Sequence, residues 1–292
     1  MRVGLVVLPS DRWADARRQW EWADDVGFAT GWTYDHIRWG GMPDGPWHGA
    51  VPVLAAAAGV TTRLRLGTLV ATPNFRHPVT LGRDAIALDD LSGGRLDLGL
   101  GPGSEGPDAM VLGQEPWQPA ERMARFEEFL RILSAMLTAD GATSTSMRTE
   151  HYAAVEAPST PGTVQRPLPL TVAASATTGL GLAAAYGHQW VTIGPGRGPR
   201  TPETILEAVR QQVEVLEVAT QAAGRPAPGR VLLWAPAEPV ITSVDQFDSL
   251  AAPYAELGFD QFVLHHPAQT GPFSGNVKAF EQIAAKYADD GR

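Results

Sequence analysis

No cysteine occurs among the 292 residues. Disulfides, a thiolate nucleophile and cysteine-ligated metal centres are therefore excluded. Positive charge is also scarce, with 23 Lys and Arg against 32 Asp and Glu and a formal net charge of -9. An acidic chain without a basic cluster is not suited to tracking a phosphate backbone, which argues against nucleic acid as a partner. Long apolar runs are missing too. The stretch 51–60 is mostly alanine and far short of the roughly 20 residues that cross a bilayer. The opening MRVGLVVLPSDRW has an apolar run of only about six residues, against the roughly 7–15 of a secretory core. It reads better as a first strand, and the whole chain as a cytoplasmic protein. Neither H-E-x-x-H nor G-x-S-x-G occurs, so no metal site and no serine elbow is expected.

What is present is alternation. Apolar runs of strand length begin at Arg2, Thr30, Arg63, Arg95, Leu168, Gln189, Gly229 and Phe259. Each is followed by a segment of helical period: 11–26, 51–60, 77–91, 119–138, 178–186, 202–223, 244–257 and 276–287. Strands alternating with helices build a parallel sheet, and eight such units fit a closed (β/α)8 TIM barrel over 1–292. An open doubly wound sheet is the alternative. The polar segment 140–166 lacks periodicity and reads as an insertion between the fourth and fifth units, with room for one small hairpin.

Chemistry in such a barrel gathers at the C-terminal strand ends. Those ends carry Tyr34-Asp35-His36, Thr72, Gly101-Pro102-Gly103-Ser104-Glu105, Ala174-Ser175, Gly194, Trp234 and His265-His266. His36 is a candidate proton carrier with Asp35 as its partner, because imidazole titrates near neutrality. The competing reading is a structural pair that holds a loop. Glu105 reads equally as an acid/base or as a solvated loop residue. Only one of His265 and His266 can face the barrel axis, because strand neighbours point to opposite faces. Gly101, Gly103 and Gly106 form a G-x-G-x-x-G pattern interrupted by prolines, which suits close backbone approach to a ligand better than a dinucleotide fingerprint. Ser175, Thr177 and Thr178 stand at a helix start whose hydroxyls and free N–H groups could hold a phosphate, or could simply be capping groups.

The run Leu66-Gly67-Thr68-Leu69-Val70, then Thr72-Pro73 to Pro78, then Ser92-Gly93-Gly94-Arg95 to Gly101, resembles the bacterial luciferase-like superfamily. Within it, Tyr34-Asp35-His36 followed by Trp39 is most similar to the branch that uses the deazaflavin coenzyme F420. The resemblance implies a TIM barrel, an F420-dependent oxidoreductase and a homodimer. It implies His36 and Glu105 as acid/base residues, with Ser104 competing for the second position. Asp35, Leu69, Val70, Thr72, Gly101, Gly103, Ala174, Ser175, Ala176, Thr177 and Gly194 would hold the coenzyme, with Leu69-Val70 as a cis peptide. Trp39, Trp234 and His265 would line the substrate pocket. The lysine that follows the sixth-strand glycine in sugar-phosphate members is replaced by Pro195-Gly196, with Arg197 displaced. The expected substrate is therefore an apolar or aromatic small molecule. An FMN-dependent monooxygenase is the alternative, and a non-catalytic flavin-binding homologue the third reading.

Overall fold

The computed structural model describes residues 1–138, 143–235, 241–267, 273 and 275–287. Eight parallel strands close into a barrel. In chain order they are β1 (Arg2–Val6), β2 (Thr30–Thr33), β3 (Arg65–Thr68), β4 (Leu96–Leu100), β7 (Leu170–Ala173), β8 (Gln189–Thr192), β9 (Gly229–Leu233) and β10 (Gln261–His265). The closing pair is β1 with β10, in register from Arg2–Gln261 to Val6–His265. Strands β5 (Ser144–Arg148) and β6 (Ala153–Pro158) form an antiparallel hairpin apart from the barrel, within the expected insertion. Residues 139–142 of that insertion, and Pro236 at the seventh strand end, lie outside the described residues.

The helices match the periodic segments. They are α1 (Trp13–Val26), α2 (Ala50–Ala58), α3 (Pro78–Leu91), α5 (Pro119–Thr138), α6 (Thr177–Tyr186), α7 (Pro202–Ala223), α8 (Val244–Glu256) and α9 (Val277–Tyr287). A short helix, α4 (Pro107–Val111), has no counterpart in the periodic reading, since five residues cannot show a 3.6-residue period.

Period-two alternation splits each strand between two apolar layers. Leu5, Leu66, Leu98, Val172, Leu232 and Phe262 point out to the helices. Val6, Trp32, Leu69, Val191, Val231 and Val263 point in and fill the barrel. Trp32 is the largest inward side chain and is fully buried. Its indole Nε1 donates to Gln261 Oε1 at 3.3 Å, and Gln261 in turn donates to Thr30 Oγ1 at 2.9 Å. Gly67 makes room for it, because a Cβ there would meet the indole at 2.5 Å and the Asp97 carbonyl at 2.4 Å.

No described helix is long and apolar enough to cross a membrane. The barrel filling gives a direct test. Gly67→Ala should destabilise by about 1–3 kcal/mol through overpacking against Trp32. Chemical denaturation would read the loss, and an unchanged midpoint would contradict the packing.

Candidate active site

The strand ends enclose a cavity of about 400 Å3. Leu69, Val70, Ala173, Ala174, Val191 and Ile193 supply an apolar wall, and Tyr34, His36, Thr72, Ser175 and Arg200 supply its polar groups. The Leu69–Val70 peptide bond is cis, as the resemblance implies. A larger hollow of about 560 Å3 lies between the 73–77 loop and residues 112–125. It contains no group that converges with His36, so the strand-end cavity is the candidate site.

Alternation continues past the end of β2 and decides which residues reach the cavity. Tyr34 and His36 line it, whereas Asp35 does not. Asp35 is fully buried, and its carboxylate is gripped by Arg76 through two bonds, Nε to Oδ2 at 2.9 Å and Nη2 to Oδ1 at 2.7 Å. Burial alone would pull the Arg76 guanidinium down, but the Asp35 bond and charge outweigh it and hold it above its ordinary value. The expected contact of Asp35 with a coenzyme, and its partnership with His36, are therefore replaced by an ion pair that ties the β2 end to the loop after β3.

The partner of His36 is Asp108, one residue into α4. His36 Nδ1 and Asp108 Oδ2 are 2.7 Å apart. Asp108 Oδ1 accepts from the backbone N–H of Ile37 at 2.8 Å and of Arg38 at 3.1 Å. Burial raises the Asp108 carboxyl, but the bonds from His36 and these amides prevail and keep it below the usual carboxylate range. An ionised carboxylate only accepts, so Nδ1 of His36 carries the proton of this bond. Nε2 is left without a partner among the described residues. Asp108 was missed because Pro107 reads as interrupting a glycine pattern. A proline followed by an aspartate is also a helix start, and that signal was present.

Glu105 stands apart from the cavity wall. Its side chain is 63% exposed and lies 3.6 Å from Arg122. Ser104 is the one of the two that lines the cavity. Thr72 lines it as well, and its buried Oγ1 has no hydrogen-bond partner. Gly101 and Gly103 form part of the wall. A Cβ on Gly101 would meet Val70 at 2.6 Å, and Gly103 adopts φ +76° against Asn74. Ala176 and Thr177 are exposed at the start of α6, just beyond Ser175. Gly194 lies behind the wall, turning the chain at φ +85° against Ile205.

The expected substrate-pocket residues divide. His265 faces inward, and its Nε2 lies 2.7 Å from the Tyr34 hydroxyl. Burial pushes His265 down to about 4, so its ring is neutral at pH 7. Its neighbour His266 packs outward on Trp22. Trp39 adjoins the mouth beside Tyr34, Trp47 and Phe273 without forming part of the cavity wall. Trp234 contradicts expectation. It follows Leu233, which points inward, and so points outward onto Tyr254 and Phe262.

Among the described residues, a cluster with metal-ligand geometry is formed by Glu128, Glu150 and His151. It sits on α5 and the hairpin turn, and Glu128 is already bonded to Thr149 and His151. Arg200, which sequence reasoning passed over in favour of Arg197, enters the cavity from the loop after β8.

These features define a parallel (β/α)8 barrel with a histidine–carboxylate pair in an apolar strand-end cavity. A family model described as luciferase-like monooxygenase matches residues 1–282, and the chain belongs to that luciferase-like family. It is 34% identical over 192 residues to an F420-dependent glucose-6-phosphate dehydrogenase of Beutenbergia cavernae, which covers 65% of this chain and 55% of that protein. It is 35% identical over 122 residues to a 4-hydroxyprotoasukamycin monooxygenase of Streptomyces nodosus subsp. asukaensis, covering 41% of this chain and 31% of the relative. The chain thus spans little more than half of the first relative's length. In fold it is similar to an F420-dependent secondary alcohol dehydrogenase in complex with an F420-acetone adduct. That match has TM-score 0.80 and 17% identity, and covers 97% of this chain and 98% of the other.

The Asp35–Arg76 pair yields a prediction. Arg76→Ala leaves a buried carboxylate alone and should cost about 3–5 kcal/mol. The double variant with Asp35→Leu should recover much of that loss. Denaturation of the three variants measures the coupling, and an additive result would contradict it.

Proposed function

We propose that the chain is an oxidoreductase that uses coenzyme F420 and a small organic substrate, with His36 as the acid/base. The observation that carries this reading is the His36–Asp108 bond at 2.7 Å, which occupies Nδ1 and leaves Nε2 unpartnered among the described residues on a ring that lines an apolar cavity. Two of the proteins named above, the Beutenbergia dehydrogenase and the secondary alcohol dehydrogenase, use the same coenzyme.

The residues present fit a flat, polar-edged ring system. Thr72 offers a buried hydroxyl without a protein partner, and Gly101 and Gly103 leave backbone where side chains would intrude. Leu69 and Val70 would support the ring's apolar face, and Ser175 with the first N–H groups of α6 would hold a phosphate. The coenzyme, when bound, supplies hydride exchange at C5 of the deazaflavin. The chain's own part is proton handling and exclusion of water. In the oxidative direction His36 Nε2 takes the hydroxyl proton of an alcohol as its C–H hydride departs. In the reductive direction it returns that proton to the carbonyl oxygen. Asp108 keeps the ring oriented and stabilises the imidazolium that forms. Glu105, exposed and paired with Arg122, is outside this scheme. A homodimer in the cytoplasm remains part of the reading through the family resemblance.

The second reading, an FMN-dependent monooxygenase, is favoured by the Streptomyces relative. Tryptophan quenching discriminates the two, since nine tryptophans are present. F420 should bind at micromolar concentration or tighter, with FMN at least tenfold weaker. The reverse order moves the assignment to the monooxygenase. His36→Ala should lower turnover of an alcohol and ketone panel about 10²–10⁴-fold while leaving F420 affinity within about threefold. Glu105→Gln should stay within about twofold of wild type, and a hundredfold loss there would return Glu105 to the mechanism.

A further inference from the structure

Half-buried arginines in this chain are matched to partners. Arg65 holds Asp97 at 2.7 Å and Arg76 holds Asp35 at 2.7 Å. Arg125 holds Glu121 and Arg230 holds Glu217, both at 2.8 Å. Arg95 has no carboxylate, but its guanidinium is bonded to the Ser92, Leu64, Ala58 and Thr61 carbonyls and the Thr61 hydroxyl.

Arg200 breaks the pattern. Its guanidinium makes one hydrogen bond, from Nη2 to the Ile193 carbonyl at 2.7 Å. Its Nε is buried with no partner, and no carboxylate pairs with it among the described residues. Burial pulls it below its ordinary value, with Tyr34 the group that opposes this. Tyr34 is no counter-ion, because burial pushes its hydroxyl far up and keeps it neutral. His265, the other group that feels Arg200, is neutral as well.

A cation removed from water without a partner is costly, so this position makes physical sense when an anion shares the site. Arg200 is the arginine that lines the cavity, and the lining contains no lysine. Asp108 is the one carboxylate in the wall, and His36 and two backbone amides already engage it.

We propose that Arg200 anchors the carboxylate of an organic-acid substrate, against the neutral Tyr34–His265 pair. The label of substrate rests on the oxidoreductase reading above, whereas the anion site stands on its own geometry. Arg200 reaches the cavity from the loop after β8 and bonds the Ile193 carbonyl, while Tyr34 and His265 come from the ends of β2 and β10. Since β8 adjoins β7, whose end carries Ser175, the F420 affinity of an Arg200 variant decides between a substrate carboxylate and an anion of the coenzyme. A single guanidinium in an apolar wall also suits a monoanion. The apolar wall and the Tyr34 and Trp39 rings at the mouth suit an aryl or alkyl body behind the carboxylate.

The test is binding, so it needs neither turnover nor the native substrate. Tryptophan quenching would be measured with phenylacetate, hexanoate, the neutral 2-phenylethanol and inorganic phosphate, in wild type, Arg200→Lys and Arg200→Met. At least one of the two carboxylates should bind wild type at least tenfold tighter than 2-phenylethanol and tighter than phosphate. Arg200→Met should lose at least tenfold in carboxylate affinity, with Arg200→Lys between. Circular dichroism and thermal melting check that the variants fold, and Arg200→Lys keeps the test valid if Arg200→Met does not. F420 affinity should remain within about twofold. Absence of saturable carboxylate binding, equal binding of 2-phenylethanol, or preference for phosphate would each overturn the proposal. So would a tenfold loss of F420 affinity in a folded variant that still binds the carboxylate, which would assign Arg200 to the coenzyme. Failure of wild type to bind F420, with carboxylate binding intact, would sink the coenzyme reading and leave the anion site standing.

Discussion

A side chain in a closed parallel barrel has two destinations, the axis or the helix layer, and its place along the strand decides between them. The site depends on that constraint. Along β2 and beyond it, Trp32, Tyr34 and His36 take the axial side, and Asp35 falls on the other. Along β9, Leu233 goes inward and Trp234 outward. Along β10, His265 goes inward and His266 outward. The inward set fills the barrel below and forms the cavity above, so the packing that stabilises the fold also aims the chemistry.

Charge is handled just as strictly at this end of the barrel. Asp35 is neutralised by Arg76 behind the wall, and Asp108 is held by hydrogen bonds from His36 and two amides within it. Both pairs tie separate chain segments together: the β2 end to the loop after β3, and the β2 end again to α4. With both carboxylates bonded, the Arg200 Nε and the Thr72 hydroxyl are left as buried groups of the cavity lining without a partner among the described residues. A wall that is otherwise mostly apolar makes both groups prominent as ligand contacts.

Much of this was legible in the residues. Eight apolar runs alternating with eight helical periods specify the barrel, because each unit carries its own local signal. His36, Leu69-Val70, Thr72 and the strand-end glycines follow from the same pattern joined to the family likeness. Arg200 was not legible, since it reaches the cavity from a loop whose path no periodicity encodes, and Asp108 was signalled only by the Pro-Asp start of a helix too short to show a period. Glu105 illustrates the converse. One position decides between Ser104 in the wall and Glu105 in solvent, and a segment with three glycines and two prolines leaves that register open. Trp234 and Asp35 lie on the outer face, as parity with the inward Leu233 and Trp32 requires.

The proposed chemistry depends on Asp108 holding His36 through Nδ1, which leaves Nε2 free for a substrate in the cavity. Nitrogen-15 NMR of the imidazoles, with His36 assigned through His36→Gln, tests it most directly. The account predicts that neutral His36 carries its proton on Nδ1, and that Asp108→Ala releases this preference. A wild-type His36 protonated on Nε2 and bare on Nδ1 would contradict it, because the 2.7 Å contact with an ionised Asp108 would then join two acceptors.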